Sequence, residues 1–248
     1  MRARDSVDTS GAAQSLAGFP TAGTPPIWAE EFDGVIDAVH TDAKVVALTF
    51  DDGPTPRTRE IVHELDAAGA HATFFWVGSR ITTGAAVYAI VHGEELANHT
   101  WTHTDMRRLT SQEASEQIGL TNARIAQFTG ATPTWFRSPF NRLYLPEFNQ
   151  VKAHGLLYAN YSTTSVDWMR GVSEARILGE IDKGLRPGGV ILMHDSLTHD
   201  PTKYLPTLLK RLRKRGYQMV TLTALAEIGE PVEEPLRLGS KGLGFGGG

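Results

Sequence analysis

Apolar and polar positions follow two patterns that alternate along most of the chain. Short apolar runs rich in β-branched and aromatic residues, at 44–50, 72–77 and 190–193, are typical of buried strands. Between them, apolar residues recur at spacings of three and four, as in 58–68, which is typical of amphipathic helices. Strands that alternate with helices in this way predict a parallel sheet.

The same two patterns predict elements over the rest of the chain. Helices are predicted at 85–92, 145–153 and 204–215. Two further helices are predicted to begin at caps, one at the capping box of Thr110 and one at Ser173, which continues to Leu185. Strands are predicted at 95–98, 134–137, 156–161 and 218–222. The segment 30–40 favours a short strand or a hairpin. The predicted fold class is therefore α/β. Of a doubly wound sheet and a barrel, the count favours a distorted, incomplete (β/α) barrel of about seven parallel strands in a single domain.

The two ends of the chain differ from the middle. Residues 1–27 are small, polar and proline-rich, and residues 230–248 are glycine-rich, so both are predicted to be flexible, on either side of one folded domain at 28–229. An apolar run of about 18 residues, as a membrane helix needs, is absent, and the start of the chain has no hydrophobic signal-peptide region. A cytoplasmic protein and a chain whose export signal was removed both fit this pattern.

Composition narrows the functional classes. Of 248 residues, 41% are hydrophobic, and the net charge of −4 argues against a binder of nucleic acid or anionic membranes. The sequence contains no cysteine, which excludes disulfides and thiolate ligands. A metal ion would therefore be held by histidine and acidic side chains.

Polar residues capable of chemistry fall at the predicted carboxyl ends of five strands. They are Asp51 and Asp52, His99 and His103, Arg137, Asp167 and Trp168, and His194 and Asp195. Parallel strands end at the same edge of a sheet or barrel, where catalytic residues collect. We therefore expect the five clusters to converge.

His99, His103 and Asp52 form a candidate metal site. The two histidines are four residues apart, so one helical turn would place both imidazoles on one side. Such a pair alone more often makes local hydrogen bonds, but with a strand-end carboxylate it suits Zn²⁺ and other divalent ions. Thr100 occupies the position at which H-E-x-x-H proteases carry their general base, so the adjacent Asp51 is the candidate base.

His194, at the end of an apolar strand, is the candidate general acid. A nearby carboxylate such as Asp167 would favour its imidazolium form. Asp195 is interpreted as a turn or capping residue.

Arg137 and Trp168 have different expected partners. A guanidinium at a buried strand end needs a carboxylate, and Asp51 is the expected one. Trp168 is equally compatible with a place in the core and with stacking on a sugar.

Over residues 45–222 the chain resembles the polysaccharide deacetylases of carbohydrate esterase family four, the NodB-homology domain. The motifs that carry the resemblance are TFDDGP at 49–54, HTWTH at 99–103, RSPF at 137–140, DW at 167–168 and LMHD at 192–195, in the family's order. Two departures concern substrate fit more than activity. Phe140-Asn141 stands where the family commonly has Tyr-Gly, and Thr164 stands where an acid is usual.

The resemblance implies a distorted barrel and a metal-dependent hydrolase that removes acetyl groups from sugars. It assigns Asp52, His99 and His103 as metal ligands, Asp51 as base, His194 as acid, Arg137 as the partner of Asp51, Asp167 as the group that tunes His194, and Pro139, Phe140, Trp168 and Leu192 as substrate-binding residues. One divalent ion is expected, Zn²⁺ first, with Co²⁺ or Ni²⁺ as alternatives.

The leading functional hypothesis is N-deacetylation of chitin oligomers or peptidoglycan by a monomeric enzyme, secreted or attached to the cell wall as the resemblance implies. The expected partner is an acetylated polysaccharide or oligosaccharide and no nucleic acid. O-deacetylation of acetylated xylan is the alternative within the same fold. A catalytically inactive sugar-binding relative ranks lower, because the chain keeps every expected ligand, base and acid. A two-carboxylate glycosidase also ranks lower, because its acids lie roughly 5 to 9.5 Å apart across the sugar rather than adjacent in sequence.

Overall fold

The structure is a computed structural model that describes residue 26 and residues 34–141, 145–196 and 200–232. The strands in these ranges are β1 (Val35–Ile36), β2 (Val45–Asp51), β3 (Ala72–Trp76), β4 (Glu95–Asn98), β5 (Trp135–Phe136), β6 (Leu157–Ala159), β7 (Thr163–Thr164), β8 (Gly189–His194) and β9 (Gln218–Val220). The helices are α1 (Thr58–Ala67), α2 (Thr83–Val91), α3 (Ser111–Thr129), α4 (Leu145–Ala153), α5 (Glu174–Gly184), α6 (Leu205–Lys214) and α7 (Leu222–Ile228).

All strand pairs of the sheet are parallel, in the order β1-β6-β5-β4-β3-β2-β8-β7, and β9 pairs with the first residues of β2. Across the described residues no ladder joins the outer strands β1 and β7. The predicted distorted, incomplete barrel is therefore confirmed. Two described strands go beyond the predicted seven. Strand β1 lies in the segment 30–40, where a short strand or a hairpin was expected, and β7 has two residues, too few to show a periodic pattern.

Strand β2 is central to the fold because its seven residues are all buried and it pairs with three neighbours. On one side of it, Leu48 and Phe50 pack in a core with Ile61 of α1 and Leu208 of α6. On the other side, Ala47 belongs to a second cluster that includes side chains of β3, β5, β8 and α7. Both faces of the sheet are thus covered, which explains the continuous apolar run of the sequence.

The helix signals were accurate where they rested on capping. The side chain of Thr110 accepts a hydrogen bond from the Glu113 backbone, and the Glu113 side chain accepts one from the Thr110 backbone, so the capping box is confirmed. The predicted strand at 218–222 was wrong in its last residues. It ends at Val220, and Thr221 caps α7, which the sequence analysis missed.

The expected flexible segments at 1–27 and 230–248 lie almost entirely outside the described residues, so the domain boundaries stay predictions. Among the described helices, none combines the length and the apolar character needed to cross a bilayer.

Candidate active site

Loops from opposite sides of the curled sheet meet at its carboxyl edge. Arg137 follows β5, which is three strands away from β2, yet its Nη1 atom lies 2.7 Å from Oδ1 of Asp51 at the end of β2. On the other side of β2, His194 is the register partner of Asp51 in the neighbouring strand β8. The curvature of the sheet therefore brings together side chains that a flat sheet would hold far apart.

Asp52, His99 and His103 face one another at this edge. Oδ1 of Asp52 lies 2.9 Å from Nε2 of His103 and 3.5 Å from Nε2 of His99. Nδ1 of His99 lies 2.7 Å from the carbonyl oxygen of Arg137 and must carry the hydrogen, because a carbonyl can only accept. A neutral ring of this tautomer has its lone pair on Nε2, on the side of Asp52, where it could bind a metal ion; without an ion, a hydrogen on Nε2 is needed for the hydrogen bond to the Asp52 carboxylate.

The spacing of these three side chains fits one divalent ion. Nitrogen and oxygen ligands bound to Zn²⁺ at 2.0–2.2 Å lie roughly 3 to 3.5 Å from each other at tetrahedral or octahedral angles. One ligand atom from each residue can be chosen so that all three lie within 4.8 Å of one another. Burial alone would raise the pKa of Asp52, but its hydrogen bonds to the two imidazoles hold that pKa far below its ordinary value. A carboxylate that stays ionised is the form a metal requires.

The segment from His99 to His103 is not helical, so the expectation that one helical turn aligns the two imidazoles was wrong. The chain instead bends through left-handed conformations at Thr100, with φ of 66°, and at His103, with φ of 60°. Oδ1 of Asn98 accepts a hydrogen bond from the Thr100 backbone, and the Thr100 hydroxyl accepts one from the His103 backbone. These bonds hold the bend and leave the ring centroids of His99 and His103 5.0 Å apart.

Asp51 is buried and paired with the fully buried Arg137, as the sequence predicted. The guanidinium also donates to the hydroxyl of Thr49 and to the carbonyl oxygens of Ala159 and Asn160. Arg137 therefore ties the ends of β2, β5 and β6 together around Asp51. The charge of this carboxylate is compensated inside the protein.

His194 and Asp167 form a second buried pair. Nδ1 of His194 lies 2.7 Å from Oδ1 of Asp167, and the His194 backbone N–H donates to Oδ2. Burial alone would lower the pKa of His194, but the Asp167 carboxylate outweighs it and the pKa rises to about 9. The same interaction holds the pKa of Asp167 below its ordinary value in spite of burial. The imidazole is therefore protonated at neutral pH.

An exposed aromatic ring lies beside His103 and another lies beside His194. The ring of Phe140 lies 4.8 Å from that of His103 and is 57% exposed, and the ring of Trp168 lies 5.3 Å from that of His194 and is 48% exposed. This exposure excludes the core position for Trp168. Leu192 is buried and in register with Thr49, which faces the barrel interior. Pro139, which precedes Phe140 in the sequence, is buried.

Several residues that support the site were not found from the sequence. The hydroxyl of Tyr204 donates to Oδ2 of Asp167 at 2.7 Å, and Nδ2 of Asn141 donates to the Tyr161 hydroxyl at 3.2 Å. Nη1 of Arg80 donates to the carbonyl oxygen of Asp52 at 2.6 Å. A local sequence pattern cannot predict these contacts, because the two partners of each are 20 to 37 residues apart along the chain.

Left-handed backbone conformations outside glycine are concentrated in the same loops. Within the described ranges, the non-glycine residues with positive φ are Asp52, Thr100, His103, Phe140, Asn141 and Val166. All of them lie in loops that follow β2, β4, β5 or β7. Strained residues persist where the surrounding structure holds them and are typical of functional sites.

Comparison with known proteins gives a consistent assignment. The sequence profile named polysaccharide deacetylase matches residues 38–159. The chain is 32% identical over 77% of its length to the peptidoglycan-N-acetylmuramic acid deacetylase PdaC of Bacillus subtilis (strain 168). It spans only 41% of that relative. It is 30% identical over 73% of its length to the chitooligosaccharide deacetylase of Bradyrhizobium sp. (strain ANU 289), of which it spans 90%.

The fold agrees with the sequence comparison. The solved structure of PdaC from Bacillus subtilis superposes with a TM-score of 0.69 at 31% identity, covering 77% of this chain and 93% of that one.

Proposed function

The chain belongs to the polysaccharide deacetylase family, and from this premise we propose that it is a metal-dependent hydrolase that removes N-acetyl groups from glycans containing N-acetylglucosamine. Chitin oligomers and peptidoglycan are the proposed substrates, in keeping with the names of the two relatives. The observation that carries the proposal is the meeting at one sheet edge of a three-residue candidate ligand set, a carboxylate paired with an arginine and an imidazole paired with a buried carboxylate.

Asp52, His99 and His103 are the proposed ligands of a single divalent ion, Zn²⁺ first and Co²⁺ or Ni²⁺ as alternatives. Such an ion would polarise a carbonyl oxygen and would lower the pKa of bound water to about 7, as in favourable zinc sites. The protein's part is to keep the Asp52 carboxylate ionised and the Nε2 lone pair of His99 directed inward.

Asp51 is the proposed general base. It is adjacent to the ligand Asp52 and is held by Arg137, so the carboxylate has a fixed direction and an internal counter-charge. It takes a proton from the attacking water as the new C–O bond to the acetyl carbon forms. A backbone N–H near Phe140 is the proposed donor to the oxyanion.

His194 is the proposed general acid. Asp167 holds the Nδ1 side of the imidazolium, so the Nε2 proton is the one available to the substrate. It protonates the sugar nitrogen as the amide C–N bond breaks, and the products are acetate and the amine. An amide needs this protonation more than an ester does, which supports N-deacetylation over deacetylation of xylan.

Phe140 and Trp168 are the proposed walls for the substrate, with Leu192 and Pro139 behind them. Their exposed rings border His103 and His194, the two sides of the proposed reaction centre. Aromatic rings pack well against the apolar face of a sugar while its hydroxyl groups bind elsewhere.

Release of acetate from a panel of substrates tests the proposal. We expect activity on N-acetylglucosamine oligomers or on peptidoglycan, loss of that activity with a chelator, and recovery with Zn²⁺. Mass spectrometry of the product would identify the peptidoglycan sugar that loses its acetyl group. Activity on acetylated xylan alone would overturn the N-deacetylase assignment. Sugar binding without acetate release from any substrate would favour an inactive relative.

Peptidoglycan is a cell-wall polymer, so the name of the Bacillus subtilis relative supports a place of action at the cell wall. We propose that the enzyme acts there as a monomer. Cell fractionation tests the first point, and light scattering of the purified protein tests the second.

A further inference from the structure

Asp195 has an environment that its role as a simple turn residue does not explain. It follows the proposed acid His194 directly, and none of its surface is exposed. Its Oδ1 atom accepts a hydrogen bond from the Thr55 hydroxyl at 2.5 Å, and its Oδ2 atom accepts one from the Thr58 hydroxyl. Its backbone N–H donates to the carbonyl oxygen of Asp51 at 2.8 Å. Main chain and side chain of Asp195 thus both bind the segment on either side of Asp52.

The turn that carries Asp52 is held from the opposite side as well. The Val77 backbone N–H donates to the Gly53 carbonyl oxygen at 2.8 Å, and the Arg80 guanidinium donates to that of Asp52. Asp52 itself has a φ of 74°, which directs its carboxylate toward the two imidazoles. A left-handed non-glycine residue persists only where its surroundings hold it.

The contact at Gly53 is too close for any side chain. A Cβ atom there would lie 2.5 Å from Oδ2 of Asp195 and 2.6 Å from Nε1 of Trp76. The Asp195 carboxylate therefore packs directly against the bare backbone next to the proposed ligand. A shift of this carboxylate would be transmitted to Asp52 without an intervening flexible side chain.

The beginning of α1 depends on the same carboxylate. The residue before the helix, Arg57, makes no capping bond with its side chain. Instead the Thr58 hydroxyl accepts a hydrogen bond from the Thr55 backbone at 2.8 Å and donates to Asp195. Helix α1, the turn before it and strand β8 are joined at this one group.

We propose that Asp195 is a positioning residue that clamps the 52–58 turn and so fixes the metal ligand Asp52 in its binding orientation. The inference rests on the metal site of the proposed function. It adds that the metal affinity depends on a buried carboxylate that does not touch the ion. Groups that orient a ligand in this way typically change metal affinity by about 10- to 100-fold when removed.

Zinc titration of the chelator-treated, full-length protein tests the proposal, with isothermal calorimetry as the readout. Asp195→Ala is expected to weaken Zn²⁺ binding about 10- to 100-fold. Asp195→Asn keeps one carbonyl acceptor, so its loss of Zn²⁺ affinity is expected to be smaller. Asp200→Ala is the matched control, because Asp200 lies in the same connection between β8 and α6 and, among the described residues, contacts the 52–58 turn through its ion pair with Arg57 at 2.5 Å, five residues after Asp52. We expect it to bind Zn²⁺ like the parent.

Parent-like Zn²⁺ affinity in Asp195→Ala, or an equal loss in Asp200→Ala, would overturn the clamp. Should Asp195→Ala fail to fold by circular dichroism, Thr55→Val decides the question, because it removes one hydroxyl from a half-buried position. A folded Thr55→Val protein with weakened Zn²⁺ binding supports the clamp, and one with parent-like binding refutes it. A parent protein that binds no Zn²⁺ would instead refute the proposed metal site itself, so the two failures are distinguishable.

Discussion

Two pairs of adjacent acids lie at opposite edges of the sheet, one at the carboxyl end of β2 and one at the beginning of β4, and their side chains have different kinds of partners. Asp51 and Asp52 end β2 and contact charged or ionisable groups, namely Arg137 and two histidines. Glu94 and Glu95 lie at the start of β4 and are bonded to neutral groups. Oε2 of Glu94 accepts from the Ala72 backbone, and Glu95 accepts from the hydroxyls of Thr73 and Thr223.

The difference appears in the charge state. Burial raises the pKa of Glu94 well above its ordinary value and raises that of Glu95, because neutral donors offset burial only in part. The pKa of Asp52 is shifted down despite burial. Two buried acids in sequence are therefore not by themselves a catalytic signal. Cationic partners keep an acid available for chemistry, whereas hydroxyl partners make it a structural hydrogen-bonding group.

Substitution of one acid in each pair should give the largest difference in catalytic rate between the two pairs. Asp51→Asn keeps the shape and the proposed metal ligands but removes the proposed base, so we expect kcat to fall by about 10²- to 10⁴-fold. Glu95→Gln should leave kcat unchanged, because this side chain lies at the other end of the strands. Acetate release under saturating substrate and Zn²⁺ measures both. Undiminished turnover in Asp51→Asn would show that the base is another group.

Removal of one partner from each pair should give unequal losses of stability. Arg137→Met leaves the Asp51 carboxylate buried without its counter-charge, so we expect the free energy of unfolding to fall by about 3–5 kcal/mol. Thr73→Val removes a neutral hydroxyl from Glu95 and should cost about 1–2 kcal/mol. Urea denaturation of the metal-free proteins at neutral pH gives both values. Equal losses would mean that charge pairing does not distinguish the two sites.

The pH dependence of activity tests His194 as the proposed general acid. With the pKa of His194 at about 9, we expect kcat to fall as the pH rises through about 9, because the imidazolium donates the proton. Asp167→Asn removes the strongest of the influences that raise the pKa of His194 against burial, so this pKa should fall and the alkaline limb should move to lower pH. An alkaline limb that stays in place would assign it to another group.

The same shift of His194 links pH to stability. Its folded-state pKa is raised, so its contribution to stability is complete below pH 6.5 and is lost as the pH rises through about 9. This loss should be absent in His194→Ala.

The smallest expected effect is the contribution of Glu94 to the pH dependence of stability. Its raised pKa means that its contribution to stability is complete below about 4.5 and is lost as the pH rises through the folded-state value. The free energy of unfolding of the parent should therefore fall on this account by at most about 1.4 kcal/mol per pH unit, and Glu94→Gln should lessen the fall. Urea denaturation at pH 5 and pH 8 measures it. The exposed Glu60→Gln serves as the control and should behave as the parent does.

The fold was predictable where local signals are strong. The apolar runs of β2, β3 and β8 and the capping box of α3 identified their elements to within a residue or two. Parallel topology then implied that strand-end residues share an edge, and the structure places Asp51, Arg137 and His194 together there. The roles assigned to these residues stay predictions until activity is measured.

The rest of the site depends on contacts that the sequence does not encode locally. Spacing suggested a helical turn for His99 and His103, but backbone hydrogen bonds to the side chains of Asn98 and Thr100 hold a bend there instead. The neutral environment of Glu95 comes in part from Thr223, which is 128 residues away. Adjacent acids look alike in sequence because their partners, which decide their charge, come from distant parts of the chain.

The six left-handed non-glycine residues in the loops of the carboxyl edge have a consequence for protein engineering. Copying the motif side chains onto another barrel would not transplant the site, because Thr100 and Val166 are β-branched residues in a conformation they disfavour. The recipient would have to reproduce the main-chain path of four loops and the hydrogen bonds that restrain it. An engineer would therefore have to transfer the bent backbone of these loops as well as the motif side chains.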